Sequence, residues 1–346
     1  MLELDPIFDA ISEWLASFLP PVVVTIVKGF GTAGVVLGVL SLFVLFFIWM
    51  ERKVSAHMQQ RLGPMRTGWH GALQTVADAV KLIQKEDLVP SDADRAVYFW
   101  APVVCFAAAL MAYLVIPFGE GLIVQDLNIG ILYVIAITTF TVVSLLMAGW
   151  GSNNKWALLG GMRSAAQIVS YEVPLSMSLI GTIMIAESLS MITIVESQSG
   201  PFWNWFVFRQ PIGFIVYFIA ATAEANRTPF DIPEAEQELV AGFNVEYSGM
   251  KFAMFFLAEF INMFTISALA VTLFFGGWMA PFPFLDFIPS WIWFLAKAFT
   301  SVFVLMWFRW TYPRIRVDQL MGFAWKFLLP LAFLNIILTG IGIYIF

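Results

Sequence analysis

Residues 22–50 read VVVTIVKGFGTAGVVLGVLSLFVLFFIWM, an apolar run in which Lys28 is the single charge. A helix needs about 20 apolar residues to cross about 30 Å of hydrocarbon, so this run predicts a membrane span. Seven further apolar runs lie at roughly 98–117, 130–150, 165–187, 211–225, 251–275, 290–309 and 325–345. We therefore predict an all-α polytopic membrane protein, a single domain over residues 1–346 with about eight transmembrane helices, of which the fifth (211–225) is short.

The composition supports a membrane protein and argues against bound metal clusters. Of the 346 residues, 60% are hydrophobic and 12% are charged, whereas soluble proteins carry roughly 25% charged residues. The chain has one cysteine, Cys105, and two histidines. A disulfide within the chain is excluded, and so is an iron–sulfur cluster, which needs about four Cys or His ligands. We expect no metal site in this chain.

One motif imitates a nucleotide-binding site. Residues 29–34 read GFGTAG, which matches the GxGxxG fingerprint of dinucleotide-binding folds. The segment after it has no polar face that a soluble helix could show to water. Glycines at 34 and 38 have the spacing that permits close contact between membrane helices, which is the interpretation we favour.

Basic residues predict the orientation of the chain. Fifteen of the 18 Lys and Arg residues lie in or next to the connections that follow the first, third, fifth and seventh spans. Such connections face the cytoplasm or the mitochondrial matrix. Both termini are then predicted to lie on the periplasmic or intermembrane side.

The first of these connections, 51–97, contains an amphipathic segment at 73–86. Leu73, Val76, Val80 and Ile83 recur at helical spacing among charged positions. Such a helix lies in the membrane interface or packs against another subunit, and both interpretations remain open.

Carboxylates inside predicted spans are the main candidates for function. Glu172 lies in the fourth span and Glu259 in the sixth, where a carboxylate costs about 2.5–3.5 kcal/mol on insertion scales. Glu224 begins an acidic connection, 224–250, which contains six acids and one base between residues 224 and 246. These groups pair with loop arginines, exchange protons or line a wet cavity. The alternative is a structural clasp between helices.

Several longer motifs occur together. They are ERK (51–53), QRLGP (60–64), LQTVADAVK (73–81), AEANRTPFD (223–231), PEAE (233–236), GFNVEY (242–247), AE (258–259) and YPRIRVDQL (312–320). In these motifs the chain resembles one membrane component of proton-pumping NADH–quinone oxidoreductase (respiratory complex I), which is called the H subunit, or subunit 1 in mitochondria.

The resemblance implies a quinone substrate, ubiquinone being the first choice, and a bacterial or mitochondrial inner membrane. It implies other membrane-arm and peripheral-arm subunits and membrane lipid as partners, without nucleic acid. Flavin and iron–sulfur clusters belong to the other subunits. By position, the quinone chamber would contain Glu51, Arg52, Arg61, Asp78 and Arg227. The path coupling quinone reduction to proton translocation would contain Glu172, Glu224, Glu234, Glu236 and Glu259.

One feature departs from the family, because its acidic path continues through the third span. Here that span offers Thr138 and Thr139 but no acid, so a neighbouring subunit or bridging water would continue the path. Two alternatives remain open. The chain could anchor a related membrane-bound hydrogenase or dehydrogenase, or it could be a structural scaffold in which the acids clasp helices.

Overall fold

A computed structural model describes residues 20–232 and 236–345, and the regular elements in these ranges are helices, without strands. In chain order they are α1 (Pro21–Met58), α2 (Gln74–Gln84), α3 (Arg95–Met111), α4 (Gly130–Gly151), α5 (Lys155–Ala186), α6 (Met191–Glu196), α7 (Phe206–Arg209), α8 (Pro211–Glu224), α9 (Glu236–Leu239), α10 (Gly249–Phe274), α11 (Ser290–Thr311), α12 (Val317–Phe323) and α13 (Leu329–Ile345). The prediction of an all-α protein is confirmed.

Seven helices in the described ranges are long and apolar enough to cross a membrane. They are α1, α3, α4, α5, α10, α11 and a last span in which a π-helical turn at Ala324–Leu328 joins α12 to α13. The predicted short span corresponds to α8, whose 14 residues extend about 21 Å at 1.5 Å per residue. The chain is a polytopic membrane protein, as predicted.

Two helices are longer than their apolar runs. Helix α1 continues through the charged residues Glu51 and Arg52 to Met58, since both side chains have partners of opposite charge within the protein. Helix α5 begins ten residues before the predicted limit, at Lys155. The side chain of Asn154 caps it by accepting a hydrogen bond from the Trp156 amide at 2.9 Å. Hydropathy alone missed both extensions, because it counts a charged side chain as unfavourable without knowing whether a partner of opposite charge lies beside it.

The connections after the first, third, fifth and seventh spans contact one another at one end of the bundle, which we call the charged end. The Asp94 amide donates to the Gly151 carbonyl at 3.0 Å, and the Tyr98 hydroxyl donates to the Glu246 carbonyl at 2.8 Å. The Ile315 amide donates to the Pro229 carbonyl at 3.2 Å. These bonds hold the charged end together as one unit.

The glycines of the nucleotide-like motif lie inside the continuous helix α1. A Cβ atom built at Gly29, Gly31, Gly34 or Gly38 meets no described atom within 4 Å. The helix contact expected at Gly34 and Gly38 is therefore not made within the described part of the chain. This half of α1 presents an open surface.

Other glycines permit close packing around α5. A Cβ atom at Gly149 would approach the Ala157 carbonyl oxygen to 2.7 Å, and one at Gly161 would approach the Leu145 carbonyl oxygen to 2.9 Å. A Cβ atom at Gly160 would lie 2.6 Å from Cα of Gly242, in the segment that follows α9. The acidic connection therefore rests directly on the backbone of α5.

We expect Gly160→Ala to destabilise the protein by about 1–3 kcal/mol, the usual cost of overpacking, because backbone atoms at 2.6 Å must separate. The measurement is the thermal unfolding midpoint of the full-length protein in mild detergent. Gly340→Ala is the matched control, since its nearest neighbour is Met184 Cε at 3.6 Å. Equal midpoints for the two variants would contradict the prediction.

Candidate functional site

The buried guanidinium of Arg227 lies between two carboxylates from different helices. Its Nη1 is 3.3 Å from Oε2 of Glu51 on α1, and its Nε is 3.2 Å from Oε1 of Glu259 on α10. Only 3% of the Arg227 side chain is exposed. The guanidinium carbon also lies 4.5 Å from the centre of the Phe260 ring, which adds a cation–π contact.

A second arginine completes this group. Arg309, near the end of α11, pairs with Oε1 of Glu51 through its Nη1. Glu51 therefore has an arginine on each of its oxygens. We call Glu51, Arg227, Glu259 and Arg309 the ion cluster; it joins three helices and the connection after α8.

An ion pair between a buried aspartate and an exposed arginine flanks the ion cluster at the charged end. Asp231 Oδ2 lies 2.9 Å from Arg314 Nη2. Burial raises the pKa of the Asp231 carboxyl above its usual range, although nearby Arg314, Arg309 and Arg227 act in the opposite direction. The acid is thus part of the same electrostatic unit as the ion cluster.

A compact turn, residues 222–230, places Arg227. The Arg227 amide donates to the Thr222 carbonyl at 3.3 Å, and the Phe230 amide donates to the Arg227 carbonyl at 2.9 Å. Asn226 adopts a left-handed conformation with φ of 52°, which asparagine tolerates better than most residues. The turn brings Glu224 and Arg227 to neighbouring sides of the same site.

Of the three remaining residues predicted for the chamber, Arg52 and Asp78 form a pair beside α1 and Arg61 lies apart. Arg52 on α1 pairs with Asp78 on α2 at 2.6 Å, and Gln74 donates to Asp78 at 3.3 Å. Arg61 is exposed, and it donates a hydrogen bond to Gln59 at 2.7 Å. Within the described part of the chain, it makes no hydrogen bond or ion pair with the other four residues predicted for the chamber. The structure thus gathers four of the five chamber residues around α1.

Helix α2 leaves its apolar side chains exposed. Leu73, just before the helix, is 57% exposed and Ile83 is 67% exposed. Val76 and Val80 are also exposed. The predicted amphipathic segment is therefore helical, and its apolar face is not covered by the described part of the chain.

Glu224 and Glu259 line one cavity of about 40 Å³, which has both polar and apolar walls. A water needs about 10–15 Å³ of such volume, so the cavity has room for about three or four waters. Its other polar lining residues are Asn226, Asn244, Asn262, Thr141 and Cys105. Glu259 thus faces Arg227 in the ion cluster and also faces Glu224 across a hydratable space.

Glu172 extends this acidic group toward α4. Thr139 donates a hydrogen bond to Oε1 of Glu172. Glu172 lies close enough to Glu224 for their negative charges to repel, and Thr138 on α4 also lies close to Glu224. Among the remaining acids predicted for the path, Glu234 lies outside the described residues. Glu236 begins α9, but its side chain is not described.

Sequence reasoning missed two contributors to the site. Arg309 belongs to the basic run after the seventh span, which positive-inside topology alone accounts for, so its pairing with Glu51 was not expected. Asn262 lies three residues after Glu259 on α10, and that helical spacing could have placed both on one face. No group of three or more His, Cys, Asp or Glu side chains in the described ranges is arranged to hold a metal ion.

Comparisons with known proteins cover nearly the whole chain. A family described as NADH dehydrogenase matches residues 32–340. The chain is 49% identical over 335 residues to the NADH-quinone oxidoreductase H subunit of Carboxydothermus hydrogenoformans, covering 96% of this chain and 94% of that protein. The protein of the same name from Geobacillus kaustophilus is 49% identical over 330 residues, with coverage of 95% and 97%. That of Brevibacillus brevis is 52% identical over 309 residues, with coverage of 89% and 91%.

We expect Arg227→Ala to lower the free energy of unfolding by about 3–5 kcal/mol, because it removes a buried guanidinium and leaves the Glu259 carboxylate, whose side chain is only 20% exposed, without its paired charge. The measurement is denaturation of the full-length protein in mild detergent. Arg316→Ala is the control, since its pair with Asp318 is largely exposed and worth about 0–1 kcal/mol. A loss in Arg227→Ala no larger than that of the control would contradict the prediction.

Proposed function

The chain belongs to the family of NADH-quinone oxidoreductase H subunits, and from that premise we propose that it binds quinone and links quinone reduction to an acidic proton path. As a member of this family it is a multi-pass inner-membrane subunit of a proton-translocating NADH–quinone oxidoreductase. The family assignment favours this function over the anchor of a related hydrogenase.

The proposal rests on the position of Glu259, which belongs both to the ion cluster and to the wall of the cavity. One of its oxygens lies 3.2 Å from Arg227 in the ion cluster, and the same side chain lines the cavity that contains Glu224. A change of charge on the cluster side is therefore felt by a carboxylate on the cavity side. This is the connection that coupling requires.

In the proposal, the quinone chamber lies beside α1, α2 and α10, with Glu51, Arg52, Arg61, Asp78 and Arg227 at its wall. The exposed apolar face of α2 supports an interfacial position for that helix, where quinone enters from the lipid. Ubiquinone remains the first choice of substrate. The electrons come from peripheral-arm subunits, and this chain supplies charge and position.

Reduction of a quinone to a quinol consumes two electrons and two protons. Negative charge that develops on the bound quinone attracts the guanidinium groups of Arg227 and Arg309. Glu259 then has less positive charge beside it and binds a proton more readily, because a neighbouring cation favours the ionised form. The ion cluster thereby converts electron transfer into a change of protonation.

From Glu259 the proposed path runs through waters in the cavity to Glu224 and Glu172, with Glu234 and Glu236 as its other acids. Thr139 supports the α4 side by donating to Glu172, and the α4 sequence contains no acid. The next proton acceptor then belongs to a neighbouring membrane-arm subunit. We place the charged end on the cytoplasmic or matrix side, on the basis of its lysines and arginines.

We expect Glu224→Gln and Glu259→Gln each to slow quinone reduction by about 100-fold, the lower end of what a positioned proton-transfer group contributes. The assembled complex should still form. The measurement is NADH-driven quinone reduction and proton uptake in sealed vesicles. Glu196→Gln, an exposed acid at the end of α6, is the matched control and should behave as the wild type.

Normal turnover and normal proton stoichiometry in both Glu224→Gln and Glu259→Gln would overturn the coupling role. The scaffold function, in which the acids only clasp helices, would then be the better account.

We expect Asp78→Asn to raise KM for quinone by about fivefold, equivalent to about 1 kcal/mol, because Arg52 loses its 2.6 Å partner at the proposed chamber wall. Asp318→Asn is the control, since that exposed acid pairs only with its neighbour Arg316 in the described structure. A photoreactive quinone should label this chain in the intact complex. Absence of labelling together with an unchanged KM would contradict the chamber.

A further inference from the structure

One side chain on α5 holds the 222–230 turn through three hydrogen bonds. The Nε2 group of Gln167 donates to the Ala223 carbonyl at 2.8 Å and to the Phe230 carbonyl at 2.7 Å, and one of its two N–H groups is shared with Asn226 Oδ1 at 3.1 Å. These acceptors lie at the end of α8, in the middle of the turn and at its close. A single amide therefore spans the segment that carries both Glu224 and Arg227.

The position of Gln167 is fixed by its surroundings. The residue is 2% exposed, so almost no water competes with its amide for these acceptors. Two other residues of α5 are also part of the site: Ile168, the next residue, lines the cavity, and Gly160, about two turns earlier, lets the acidic connection approach the backbone. The amide nitrogen is thus directed at the turn, whereas Oε1 has no hydrogen-bond partner among the described residues.

We propose that Gln167 is a positioning residue that keeps Glu224 at the cavity while keeping Arg227 between Glu51 and Glu259. The Ala223 carbonyl is one residue before Glu224, and Asn226 is one residue before Arg227. A shift of the turn moves the cavity acid and the cluster arginine together. Gln167 touches neither quinone nor a transferred proton in this role, and it acts through the geometry of the turn.

This inference rests on the proposed function, because it assigns Gln167 to the alignment of two parts of that path. A purely structural glutamine provides the comparison. Gln198, between α6 and α7, is 0% exposed and donates to the Ile194 and Thr272 carbonyls at 3.2 and 3.0 Å. Its Oε1 accepts from the Phe206 and Gly276 amides, which lie in the connections after the fourth and sixth spans and not in the acidic connection.

The test compares Gln167→Met with Gln198→Met in the complete complex, with activities expressed per assembled complex. Both changes remove an amide and keep a similar side-chain volume. We expect Gln167→Met to lower kcat for quinone reduction by about tenfold, or about 1.4 kcal/mol of barrier, and to raise KM for quinone. Gln198→Met should lower the amount of assembled complex at most, with kcat and KM unchanged. Gln167→His, which keeps an N–H donor, should recover part of the lost kcat.

The outcomes distinguish a failure of the positioning role of Gln167 from a failure of the proposed proton path. If Glu224→Gln and Glu259→Gln slow turnover while Gln167→Met changes neither kcat nor KM, the positioning role is wrong and the proposed path stands. Equal losses of kcat in Gln167→Met and Gln198→Met would also overturn it. If Gln167→Met does not assemble, Gln167→Asn decides, because its amide is one methylene shorter and cannot span all three acceptors. Normal kcat and KM in that variant would overturn the role.

Discussion

A guanidinium taken out of water needs carboxylates beside it, since an unpaired buried ion costs several kcal/mol. Arg227 meets this constraint with Glu51 from the first span and Glu259 from the sixth, and Glu51 takes a second arginine from the seventh. Three spans and the connection after α8 must therefore meet at one depth. The course of that connection, the extension of α1 beyond its apolar run and the packing of the charged end all satisfy the same requirement.

The acids of this chain fall into two electrostatic settings that share one residue. In the ion cluster, carboxylates lie 3.2–3.3 Å from the guanidinium of Arg227. In the cavity, Glu224 and Glu259 face asparagines and space for water, and Glu172 adds a like charge nearby. The first setting is suited to sensing charge and the second to exchanging protons. Their junction at Glu259 supports a coupling role better than a set of simple clasps would.

Hydropathy predicted the spans because each helix must satisfy its own backbone inside the lipid, which is a local property of sequence. It could not predict that α1 continues through Glu51, because the partners of that carboxylate lie 176 and 258 residues away. Arg309 was accounted for by topology, although it also forms an ion pair. The role of Gln167 could not be predicted from the sequence, since the function of a glutamine inside a span is evident only when its hydrogen-bond acceptors are known. Motif resemblance supplied the candidate acids, and geometry supplied the way in which Glu259 joins them.

Helix α1 is a rod of 38 residues, about 57 Å long at 1.5 Å per residue, in a bilayer whose hydrocarbon is about 30 Å thick. Its apolar surface ends at Met50, one residue before Glu51. A bilayer accommodates such a mismatch by tilting the helix or changing its own thickness locally. The lipid thickness that sets the tilt of α1 therefore also affects the depth of Glu51, the first carboxylate of the ion cluster, in the membrane. The geometry of the site thus depends on the composition of the membrane.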